Sequence, residues 1–91
     1  MANKRELKRT VNEISQELLA ECVAASLYNG KPAKGDVDAL LSSIILMRND
    51  FVSRISHPEP GMKAREYFDN LAHQFSKQVC EISDQIHNLS E

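Results

Sequence analysis

Ninety-one residues are enough for one small core, and folding at this size removes roughly 60 to 65% of the chain's surface from water. Apolar residues at 42% and charged residues at 26% exclude a disordered tail, and two cysteines are too few for a disulfide scaffold. A net charge of -2 excludes a global attraction to nucleic acid or anionic membrane, so binding of either would need charges segregated within the fold.

The first predicted helix covers residues 4–28. Asn3 and Glu6 have the spacing of a capping box, and Leu7, Val11, Ile14, Leu18, Cys22 and Ala25 then recur at intervals of three and four. Gly30 suits the left-handed position beyond a helix and Pro32 cannot continue one, which sets the end at Tyr28 or Asn29. Lys4, Arg5, Lys8 and Arg9 could open an export signal, but Glu13, Glu17 and Glu21 interrupt the stretch that would have to be apolar. SSIILM, closed by Arg48 and Asp50, falls short of the roughly 18 to 20 apolar residues of a membrane span. The expectation is a cytoplasmic protein, not held in a membrane, with both thiols reduced.

The second predicted helix covers residues 37–56, capped by Asp36, with Val37, Leu40, Leu41, Ile44, Ile45, Phe51, Val52 and Ile55 toward the core. The segment His57-Pro58-Glu59-Pro60-Gly61 follows, and its two proline rings remove backbone donors and fix a stiff connector. The third predicted helix, residues 62–89, has the clearest pattern: Ala64, Phe68, Leu71, Phe75, Val79, Ile82, Ile86 and Leu89. Both connections are short, so neighbouring helices should reverse direction. The expected architecture is all-α, an antiparallel up-down-up three-helix bundle in one domain, residues 1–91, that pairs into a larger dimeric bundle.

The segments KRELKRTVNEISQELLAECVAASLYNGKP and HPEPGMKAREYFDNL together resemble a group of short, uncharacterised bacterial proteins. The resemblance spans most of the chain and implies an all-helical fold. It brings no activity and no site residue with it.

Three features exceed the needs of a bundle. On a wheel of about 100° per residue, Leu19, Val23 and Leu27 lie opposite the main seam of the first helix, with Ala20 and Ala24 beside them. A second apolar stripe calls for a second partner, and a self-complementary homodimer is the simplest; another protein could also use it. Arg48 falls within the apolar arc of the second helix, where a buried or cleft guanidinium would need Glu13 or Asp69 as its carboxylate, with Tyr67, Phe68 and Phe51 offering ring faces.

The third feature is a pole of charge. One end of the expected bundle gathers Lys4, Arg5, Lys8, Arg9, Arg48, Arg54, Lys63 and Arg65. Six acidic residues there leave +2, while the remaining three basic and seven acidic residues give -4. Lys4, Arg5, Lys8 and Arg9 are therefore the candidate anion-binding group, although solvated ion-pair faces explain the same pattern and nucleic acid is a disfavoured partner.

Metal and catalytic readings find little. Asp84 and His87 make one carboxylate-histidine pair without a second, and Asp69 with His73 reads as a surface pair. Cys80 should face away from its helix seam while Cys22 borders another, so the two should not bridge. The outward Cys80, next to Gln78 and Glu81, has no cation or helix N-terminus beside it that would make it nucleophilic. The expectation is a non-enzymatic helical interaction module that self-associates through its first helix, needing no cofactor and no metal.

Overall fold

The computed structural model describes residues 4–28 and 34–89. Three helices fill these stretches: α1 (Lys4–Tyr28), α2 (Lys34–Ser56) and α3 (Ala64–Leu89). No strand occurs among the described residues. All three helices touch one another, making a rod of 48 × 19 × 16 Å.

The core lies along the axis of this rod, where each helix contributes residues spaced by threes and fours. Val11, Leu18, Cys22 and Ala25 come from α1; Leu40, Ile44, Met47, Phe51 and Ile55 from α2; Leu71, Phe75, Ile82 and Ile86 from α3. Phe51 and Phe75 meet edge to face, with ring centroids 5.1 Å apart, a geometry that suits the positive edge and negative face of the two rings. Each large aliphatic or aromatic side chain withdrawn here contributes about 1.5 to 3 kcal/mol relative to exposure. Most of the stability of these helices comes from this shared burial rather than from intrinsic helix propensity.

Contacts fix which parts of the helices lie together. The cleft between α1 and α3 is lined by Glu21, Ala24 and Ala25 on one side and by Ser83, Ile86 and His87 on the other. Asp36, Leu40 and Ser43 of α2 line another cleft with Gln85, Asn88 and Leu89 of α3. At the opposite end of the rod, the Tyr67 hydroxyl donates to the Arg54 carbonyl at 3.0 Å.

The boundaries differ from expectation at two points. Helix α2 begins at Lys34, so Asp36 sits inside its first turn as a favourably placed anion and does not cap it. Helix α3 begins at Ala64, two residues late, because the Met62 amide donates to the Glu59 carbonyl at 3.3 Å and closes a turn of the connector. The expected cap at Asn3 and the stop at Gly30 and Pro32 lie outside the described residues.

The core-facing set of α2 also needs correction. Ile45 is 47% exposed and Leu46 68%, whereas Met47 is buried. Four consecutive apolar residues, Ile44 to Met47, cover about 300° of a helix, so not all can face one seam. Ile44 and Met47, three apart, take the core positions.

Candidate interaction surface

Burial of Val11, Leu18, Cys22 and Ala25 turns the opposite side of α1 outward. Val23 is 46% exposed and Leu27 76%, and Ala20 is exposed with them. Leu19 is half-buried and packs against the core from the edge of this side. Ala24 stands apart from the others, since it lines the cleft shared with Ser83 and His87 of α3. The five candidate residues therefore divide into a solvent-facing group of Ala20, Val23 and Leu27, with Leu19 and Ala24 at its margins.

Ile45 of α2 is exposed as well, where sequence reasoning assigned it to the core. Its exposure follows from the choice of Ile44 and Met47 as inward residues, which the run of four apolar residues leaves undecided. Leu46, 100° further round the helix, points elsewhere on α2.

Arg48 is exposed, not buried among apolar side chains. Its Nε donates to Asn12 Oδ1 on α1 at 2.8 Å, and a terminal nitrogen donates to the neighbouring Asn49 Oδ1 at 2.7 Å. Neither Glu13 nor Asp69 pairs with it among the described residues. The wheel misplaced it because counting Ile45 and Val52 as core drew the apolar arc toward Arg48. The true seam of α2 runs through Leu40, Ile44, Met47, Phe51 and Ile55, which leaves Arg48 on the border with α1.

The arginine that meets a ring is Arg54. Its guanidinium carbon lies 5.1 Å from the centroid of Phe51, one terminal nitrogen is 3.1 Å from Asp50, and the other donates to Gln74 Oε1 at 2.9 Å. Arg54, His57, Pro58, Tyr67 and Gln74 line an open cleft of about 600 Å³ at the corner between α2 and α3. The stiff connector signalled this corner in the sequence. Nothing there distinguished Arg54 from the other cations.

Lys4, Arg5 and Arg9 are exposed and Lys8 is half-buried. Lys4 with Lys8, and Arg5 with Arg9, form two rows about 100° apart on α1, which spreads the four charges over an arc of about 140°. Asp69, His73, Asp84 and His87 are all exposed. Among the described residues no three acidic, histidine or cysteine side chains gather where they could hold a metal ion. Both thiols are free: Cys80 is exposed, and Cys22 is buried, which pushes its pKa up from the ordinary value by disfavouring the thiolate. No described helix is long and apolar enough to cross a membrane.

No protein-family model, curated protein or solved structure matches the chain.

Proposed function

We propose that the three helices alternate in direction, up, down and up, and that the chain is a helical interaction module which acts by association and pairs with a second copy through the outer side of α1. Alternation is supported by the contacts: the start of α2 lies beside the end of α3, and the end of α2 beside the start of α3. Parallel courses for α1 and α3 are supported by the cleft that joins Glu21 and Ala25 to Ser83 and Ile86, late in both helices.

The observation that carries self-association is the exposure of Val23 at 46% and Leu27 at 76% on the helix side away from the core. Two exposed aliphatic side chains one turn apart form a stripe on a rod that already has a core of its own. Covering these two side chains on each of two copies gains roughly 4 to 7 kcal/mol. Lost translational and rotational freedom offsets much of this, which places the dissociation constant on the order of millimolar.

Light scattering on a sizing column, run at a series of loading concentrations, tests the reading. The unmodified chain should pass from monomer to dimer with rising concentration, and Leu27→Asp or Val23→Asp should hold it monomeric without loss of helix. Association that survives both substitutions would contradict it. Anion binding at the basic pole is the weaker alternative, because Arg54 is already held by Asp50, Gln74 and Phe51, and Arg48 by Asn12.

A further inference from the structure

We draw no further inference here: the strongest candidate, the open cleft at the corner between α2 and α3, carries nothing because its cation, Arg54, is already engaged by Asp50, Gln74 and the Phe51 ring and nothing in the structure shows what would occupy it.

Discussion

Ser15 is the side chain whose replacement should strengthen this fold. It sits among the core residues of α1 at 2% exposure, and its hydroxyl has no hydrogen-bond partner. Ser43 and Ser56 differ: each donates to the carbonyl four residues earlier, at 2.9 and 3.1 Å. A hydroxyl stripped of water without compensation costs about 1 to 3 kcal/mol. Ser15→Ala removes that cost and adds a few tenths of a kcal/mol of helix propensity, against a loss of a few tenths in contacts made by the oxygen.

The net expectation for Ser15→Ala is a gain of about 1 to 2 kcal/mol. For a domain of this length that raises the melting temperature by about 4 to 8 °C per kcal/mol. Thermal and urea unfolding followed by circular dichroism would measure it, with exposed Ser43→Ala as a control that should stay within about 0.5 kcal/mol of the unmodified chain. A Ser15→Ala protein less stable than the original would refute the reasoning. It would mean that the hydroxyl finds a partner in the folded state.

Phe75→Ala should cost about 3 to 5 kcal/mol in urea unfolding, since it deletes a buried ring and its edge contact with Phe51. Tyr67→Phe should cost about 1 kcal/mol, because it leaves the half-buried ring but removes the donor to the Arg54 carbonyl. Alkylation at neutral pH should modify Cys80 quickly and reach Cys22 only on unfolding, as the first is exposed and the second buried. Because burial raises the Cys22 pKa, the folded chain holds that proton more tightly than the unfolded one. Its contribution to stability is complete below the ordinary thiol value near about 8.5 and is lost as pH rises through the folded value. The urea midpoint should fall over that range, and the fall should be smaller in Cys22→Ala.

Helix α3 was the most legible element because its apolar residues form one stripe, with every position between them polar or small except Tyr67; its inward set loses Ala64, which is exposed, and gains Tyr67, which packs half-buried against the core. Helix α2 was harder for the opposite reason. A run of four apolar residues satisfies several seams equally, and only packing against α1 and α3 selected Ile44 and Met47 over Ile45 and Leu46. That single ambiguity moved the arc, buried Arg48 on paper, and hid the exposure of Ile45. Ser15 was illegible for another reason: a lone serine in a helix gives no sign of whether its oxygen meets water, a carbonyl or nothing. The stripe of Val23 and Leu27 could be read because it lies opposite a seam that the sequence defines well. That Ala24 turns toward α3 depends on how the helices sit beside each other, which spacing alone does not set.

The account rests on the outer apolar side of α1 being covered by a second copy. Sedimentation equilibrium of the unmodified chain across a concentration series tests that most directly. The weight-average mass should climb from 10.3 kDa toward twice that value with rising concentration. A mass fixed at 10.3 kDa throughout would contradict it.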